Sequence, residues 1–191
     1  MIVGHGDIAS ILPDRDDLLF FAAGVSNSSE IRESEYEREK KLLLSQDHYP
    51  EGKHLVYFST LSVFYSDSRY VRHKREMEKV VQYNFHPSTI IRLGNITWGN
   101  NPCTLINSIR NKILHREPFE IQNTYRYIVT KEELLHWIDM IPPWSCELNV
   151  PGIRMKVIDV VKQYCYPWGK PNVDVKHDYT ESELQVCIQD G

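Results

Sequence analysis

The stretch Leu18 to Val25, LLFFAAGV, decides the fold of this chain, because its apolar residues are consecutive rather than alternate. A strand with one wet face alternates apolar and polar side chains, whereas an unbroken apolar run suits a central parallel strand covered on both faces. Parallel neighbours need crossover connections, so the flanking segments should alternate between strand and helix. Upstream, MIV (1–3) runs into GHGDIASIL, read as a short strand, a glycine-containing turn and a helix start, followed by the turn-like PDRDD. Downstream, SNSS offers capping residues for a highly charged helix, EIRESEYEREKKLLLSQ, whose inward face is expected from Ile31, Tyr36 and Leu42 to Leu44. HLVYFST, YVRHKREMEKVVQYN and STIIRLGNI then read as strand, helix and strand. Right-handed crossovers joining these units give a parallel α/β sheet.

Beyond Trp98 the pattern changes. NPCTLINSIRNKIL reads as a helix, FEIQNTYRYIV as one or two short strands, and KEELLHWIDMI as a helix closed by Pro142-Pro143. ELNVPG reads as a short strand and MKVIDVVKQYC as a helix, while the tail from Pro167 to Gly191 is polar and weakly patterned. This last third is expected to pack on the ligand edge of the sheet.

Composition narrows the function classes. A chain of 191 residues with 41% hydrophobic content fits one compact unit with a real core. The net charge of -4, with both signs mixed along the chain, provides no basic stripe for nucleic acid. No apolar run reaches the length of a membrane span and the first residues lack a secretory pattern, so the expectation is a cytoplasmic protein without a membrane partner. Cys103, Cys146, Cys165 and Cys187 form no CxxC pair and the histidines no HxxxH spacing, so buried thiols are expected rather than a metal site or a disulfide framework.

Two stretches carry chemistry. Gly4-His5-Gly6-Asp7-Ile8-Ala9 follows a strand: Gly4 allows a tight turn, Gly6 lets the backbone approach a pyrophosphate, and Ala9 suits close packing of helix on strand. In FSTLSVFYSDSRYVRHKR (58–75), Tyr70 and Lys74 stand one helical turn apart on a shared face. An ammonium beside a phenol favours the phenolate, so Lys74 is expected to make Tyr70 usable as an acid or base. Thr60 ends the preceding strand, at the sheet edge where open α/β folds bind ligands.

With these segments in order, the chain resembles the extended short-chain dehydrogenase/reductases, the nucleotide-sugar epimerase and dehydratase family. The matching segments are GHGDIA, FFAAGVS, FSTLSVF, YVRHK, IIRLGNITWG, RYIVTKEELLHWI and ELNVPG, covering most of the chain to about residue 160. The resemblance implies a truncated Rossmann-like parallel sheet flanked by helices, with residues 1–98 as the cofactor-binding and catalytic part and 99–191 as a small α+β substrate lobe. It implies Thr60, Tyr70 and Lys74 as the catalytic set and NAD or NADP as cofactor. Gly4, Gly6, Ala9, Ala22, Ala23 and Gly24 would contact the cofactor together with Tyr70 and Lys74, and Asn95 and Arg126 would lie near the diphosphate of a nucleotide-sugar substrate. It further implies a homodimer through the Tyr-Lys helix, with Val80, Val81 and Tyr83 as candidates for that interface or for the core.

The departures from the family pattern are specific. Two further strand-helix units normally lie between the glycine turn and the strand matched here by LLFFAAG, yet only Ser10 to Asp17 fill that interval. The second strand, whose acidic end grips the adenosine ribose, is thereby absent, and nothing places Asp14, Asp16 or Asp17 at that position. The loop from Thr60 to Tyr70 is short, and an extra residue precedes Trp98-Gly99. The helix spanning Glu30 to Leu44 is rich in glutamate and lysine where the family has Asn-x-x-Gly-Thr, a face expected to be solvated. Two readings follow: an NAD(P)-dependent epimerase, dehydratase or reductase, with the adenosine end of its cofactor exposed; or a non-catalytic module of the same fold that binds a nucleotide, a sugar or a partner protein.

Overall fold

A computed structural model of the protein describes residues 1–48 and 53–165. Its main sheet is five-stranded and wholly parallel, in the order β1-β2-β3-β4-β7, where β1 is Ile2–Val3, β2 Leu18–Phe21, β3 His54–Thr60, β4 Ser88–Leu93 and β7 Cys146–Val150. The four residues of β2 are all buried, as their uninterrupted apolar run requires. Leu18 and Phe20 join Val56, Phe58, Ile91 and Leu93 on one face. Leu19 and Phe21 join Leu55, Tyr57 and Ile90 on the other. Full burial of such a side chain stabilises the fold by about 1.5–3 kcal/mol, so both faces need a cover.

The second of these faces is covered by α1 (Glu33–Leu44) and α2 (Arg69–Asn84), which contribute Leu43, Met77 and Val81. The first is covered by α4 (Lys131–Asp139), through Leu134 and Ile138, and by the connection from β1 to β2, through Leu12 with Ile8 and Ile11. That connection, residues 4–17, is long enough for a parallel crossover but contains only one 3-10 turn, Ala9–Ile11. The helix expected after the glycine turn therefore shrinks to a single turn, because Pro13 and the following aspartates leave it no room to extend. Among the described residues, no strand lies beyond β1.

A second, three-stranded sheet pairs β5 (Asn95–Ile96) with β6 (Tyr125–Val129) and β6 with β8 (Ile153–Lys156). Against it pack α3 (Leu105–His115), α5 (Val157–Val160) and a π-helical turn, Val161–Cys165, around Ile106, Ile128 and Val160. From the part of the chain beyond residue 98, α4 and β7 return to the main sheet, where β7 pairs with β4.

Several expectations are corrected. Met155 and Lys156 belong to β8, antiparallel to β6, rather than to the helix that follows. FEIQNTYRYIV, expected to form one or two short strands, forms one, Tyr125–Val129. On the first helix Tyr36 and Leu43 face inward, but Ile31 is 81% exposed and Leu44 points outward. The Glu30 carboxylate accepts the backbone N–H groups of Ile31 and Arg32, a local turn that delays the helix to Glu33. The thiols differ among themselves: Cys165 is buried, Cys146 half-buried and Cys103 exposed. Cys187 and the polar tail lie outside the described residues. Val81 is core, Val80 half-buried and Tyr83 exposed. Among the described residues no helix is long and apolar enough to cross a membrane, and no group of three His, Cys, Asp or Glu is placed to hold a metal ion.

If the short connection is part of the core, Leu12→Ala costs about 2–5 kcal/mol in urea denaturation, as for other buried leucines. A change below about 0.5 kcal/mol, the range of surface substitutions, would show that it merely lies on the sheet.

Candidate active site

The C-terminal ends of β1 to β4 open into a cleft of about 1410 Å³, with α3 and β6 contributing its other wall. Gly4, Gly6, Ala22, Ala23, Gly24, Thr60, Tyr70, Lys74, Asn95 and Arg126 all line it. Of the catalytic, cofactor and substrate residues read from the sequence, Ala9 alone does not; it is buried in the 3-10 turn.

Local signals put the Tyr-Lys pair there. Ser68 caps α2, its hydroxyl accepting the Val71 N–H at 3.3 Å, so Tyr70 falls in the first turn and Lys74 one turn on. Lys74 Nζ lies 5.9 Å from the centre of the Tyr70 ring. Thr60 ends β3 and caps the next turn, its hydroxyl oxygen accepting the Ser62 N–H at 3.2 Å. The hydrogen of that hydroxyl is left for another acceptor.

Beneath the cleft floor lies a cluster the sequence reading missed. Glu39 of α1 is fully buried, and its carboxylate accepts hydrogen bonds from four sides. The Val25 N–H donates to it at 2.7 Å, Tyr57 Oη at 2.5 Å and Lys74 Nζ at 2.9 Å, while His73 Nε2 stands 3.1 Å away. Lys74 also donates to Tyr57 Oη at 3.1 Å. Burial alone would raise the pKa of Glu39, but the Lys74 charge and the bonds from His73, Tyr57 and Val25 hold it far below the ordinary 4.5. The helix face expected to be solvated thus carries the most buried carboxylate of the site. Its sequence signal is spacing: Tyr36, Glu39 and Leu43 fall at i, i+3 and i+7, on one helical face.

This cluster alters the expected chemistry of Tyr70. Lys74 was expected to favour the phenolate, yet its ammonium is paired with Glu39, and the half-buried Tyr70 is held well above the ordinary phenol value of 10.0. Burial is the largest cause, followed by the charges of Glu39 and Tyr36. The Tyr70 phenol is thus held more firmly protonated than an ordinary tyrosine.

The glycines divide by role. A Cβ on Gly4, whose φ is +124°, would stand 2.5 Å from the Ala22 carbonyl oxygen, so this glycine is required by the approach of β2. A Cβ on Gly24 would stand 2.5 Å from Lys74 Nζ, so that glycine makes room for the buried ion pair. Gly6 meets nothing within 4 Å and leaves open space for a ligand. Asp7 ties the same turn to the loop after β5: its carboxylate accepts the N–H groups of Asn100 and Asn101 at 2.9 and 3.0 Å, and its carbonyl accepts Trp98 Nε1 at 2.9 Å. Asn95 donates its amide to the Tyr127 carbonyl at 3.2 Å, and Arg126 donates to Thr124 Oγ1 and the Tyr125 carbonyl at 2.7 and 3.0 Å. Both side chains are held from within the lobe.

These residues fit one half of a nicotinamide dinucleotide. Gly6 leaves open space and Tyr70 and Lys74 offer donors on the same cleft, as the nicotinamide half of such a cofactor would require. On the adenosine side the sheet ends at β1 among the described residues, and the turn leads into three residues of 3-10 helix rather than a long helix whose N-terminus would receive a pyrophosphate.

No protein-family model and no curated protein sequence matches the chain. Solved structures do. The enzyme WbmG of Bordetella bronchiseptica, determined in complex with NAD, matches with a TM-score of 0.59 at 14% identity, over 76% of this chain and 54% of that one. UDP-glucose 4-epimerase of Thermotoga maritima, determined with UDP-glucose, matches with a TM-score of 0.59 at 16% identity, over 90% of this chain and 67% of that one. This chain has the fold of the UDP-sugar epimerases. UDP-glucose 4-epimerase of Thermus thermophilus, in complex with NAD, adds a TM-score of 0.58 at 14% identity, over 81% of this chain and 63% of that one. Within this epimerase fold the chain is short, spanning little more than half of WbmG.

Because Glu39 and Lys74 are buried together, Lys74→Met strands a carboxylate and is expected to destabilise the protein by about 3–5 kcal/mol in urea denaturation at neutral pH. The depressed pKa of Glu39 gives a contribution to stability that is complete above its unfolded value, near 4.5, and is lost as pH falls towards the folded value. Wild-type stability should therefore decline below pH 4.5, with a shallower decline in Lys74→Met. Equal slopes would show that the pair does not carry this dependence.

Proposed function

We propose that this chain is an NAD(P)-dependent enzyme acting on a nucleotide-activated sugar, as an epimerase, dehydratase or reductase. The observation that supports it best is the convergence of Thr60, Tyr70 and Lys74 on one cleft with the open backbone at Gly6, in a UDP-sugar epimerase fold. A bound nicotinamide would supply or accept the hydride, and the chain's own side chains would manage the proton and the geometry.

Tyr70, a phenol at neutral pH, gives its proton to a sugar carbonyl oxygen as charge develops there. Thr60 donates its remaining hydroxyl hydrogen to the same oxygen and fixes the sugar's position. Lys74 spends two of its three ammonium hydrogens on Glu39 and Tyr57, which leaves one for a ribose hydroxyl. Arg126, with Arg38 and Lys112 on the same cleft, provides cationic charge for a diphosphate, and Asn95 keeps its amide oxygen for the substrate. Pairing of two copies through α2 belongs to the same reading, with Tyr83, 86% exposed, as its outward apolar residue.

A second reading, a non-catalytic module that binds a nucleotide, a sugar or a partner protein, draws support from the sheet ending at β1 among the described residues and from the internal pairing of Lys74. The two readings part on turnover. Across a panel of nucleotide sugars with NAD(H) and NADP(H), the enzyme reading expects hydride transfer that drops about 10²- to 10⁴-fold in Tyr70→Phe, the scale of a lost general acid, with ligand affinity retained. Equal activity in the two proteins would remove Tyr70 from its role, and saturable binding without hydride transfer would establish the module.

A further inference from the structure

We infer that Glu39 is a positioning residue that draws the Lys74 ammonium into a buried pair and thereby keeps Tyr70 a proton donor. The inference rests on the enzymatic reading above and adds a residue and a direction to it.

The geometry carries the argument. Glu39 has no exposed surface, and its two oxygens are met by Lys74 Nζ, Tyr57 Oη, His73 Nε2 and the Val25 N–H, all between 2.5 and 3.1 Å. The ammonium one turn from Tyr70 is thereby drawn into a pair beneath the cleft floor, and Gly24 leaves the space that this pairing fills. An ammonium without a counter-ion stabilises a neighbouring phenolate, whereas one neutralised by a carboxylate does so far less. Glu39 also adds its own negative charge beside Tyr70, which opposes ionisation of the phenol. The groups facing the pair are Tyr36 and Glu39 from α1, Tyr57 from β3, and His73 within α2; of these Glu39 is the one that pairs with the Lys74 ammonium.

The consequence is directional. In reduction of a sugar carbonyl, the carbon takes hydride from the reduced nicotinamide, the oxygen takes the proton of Tyr70, and the phenolate left behind recovers a proton from solvent. That step runs on the resting phenol. Oxidation of a sugar hydroxyl requires Tyr70 to be deprotonated first, and Glu39 moves that deprotonation to higher pH. The site thus favours reduction over oxidation near neutral pH, which within the enzymatic reading singles out the reductase from the epimerase and the dehydratase, both of which begin by oxidising a hydroxyl.

The test needs no substrate. The difference in ultraviolet absorbance between wild type and Tyr70→Phe, followed from pH 7 upward, isolates the titration of Tyr70, and the same subtraction is made in a Glu39→Gln background. The inference expects the Tyr70 midpoint to fall by about one pH unit or more in Glu39→Gln, with the pH at which hydroxyl oxidation begins falling alongside it. Glu39→Asp, which keeps the charge, should restore a midpoint near that of wild type. A midpoint unmoved in Glu39→Gln overturns the inference. Where Glu39→Gln does not hold the fold, Glu39→Gln combined with Lys74→Gln removes both buried charges together, a change proteins tolerate better than breaking a pair. A midpoint close to wild type is then expected, because an ammonium already neutralised has little effect to lose, and a raised midpoint, showing that Lys74 still favours the phenolate, overturns the inference. Absence of turnover in wild type would overturn the enzymatic reading alone, since the titration reads Glu39 without any reaction.

Discussion

A carboxylate buried with no exposed surface must be met by donors on every side, and that requirement organises this protein. Glu39 draws on β3 through Tyr57, on α2 through His73 and Lys74, and on the segment after β2 through the Val25 N–H. Burying a charge costs several kcal/mol and is repaid only when partners converge with good geometry. The elements that form the floor of the cleft are therefore fixed relative to one another by one group. The space it needs is left by Gly24, where a Cβ would meet both Lys74 Nζ and the carboxylate. A second buried charge network does similar work further along α2, where Glu78 binds Ser59 and Arg92, and Arg92 reaches Glu147 of β7.

The second constraint is the short connection between β1 and β2. It runs over the sheet face that also receives α4, placing Leu12 with Leu18, Phe20 and Leu134, and it brings the glycine turn to the cleft without a full helix behind it. Its Asp7 then anchors the loop from Trp98 to Asn101, so one turn borders the cleft and joins the lobe to the sheet. Among the described residues the sheet thus ends at β1, beside a cleft walled by the lobe.

Much of this was legible in the sequence. The unbroken apolar run of β2 announced a parallel sheet, YVRHKREMEKVVQYN announced α2, and Thr60 was placed at the end of β3, on the edge where the cleft opens. Thr60, Tyr70 and Lys74 could be assigned to one site because a strand end and a helix start are set by local chemistry. Glu39 was not read, since a glutamate in a glutamate-rich helix looks solvated unless its spacing from Tyr36 and Leu43 is weighed. Ile31 and Leu44 were misplaced for the same reason, their hydrophobicity being a poor guide to which face the helix buries.

By itself the sequence determined the alternation of strands and helices, the spacing that sets Tyr70 and Lys74 one helical turn apart, and the glycine turn, because periodicity and turn chemistry act over a few residues. Only the tertiary structure decided what Lys74 does with its charge. Its partner lies on another helix, 35 residues away, and the proton affinity of Tyr70 follows from burial and from that distant carboxylate rather than from the lysine beside it in sequence. Electrostatics inside a protein is set by distance in space and by exclusion of water, and neither is written in the spacing of residues along the chain.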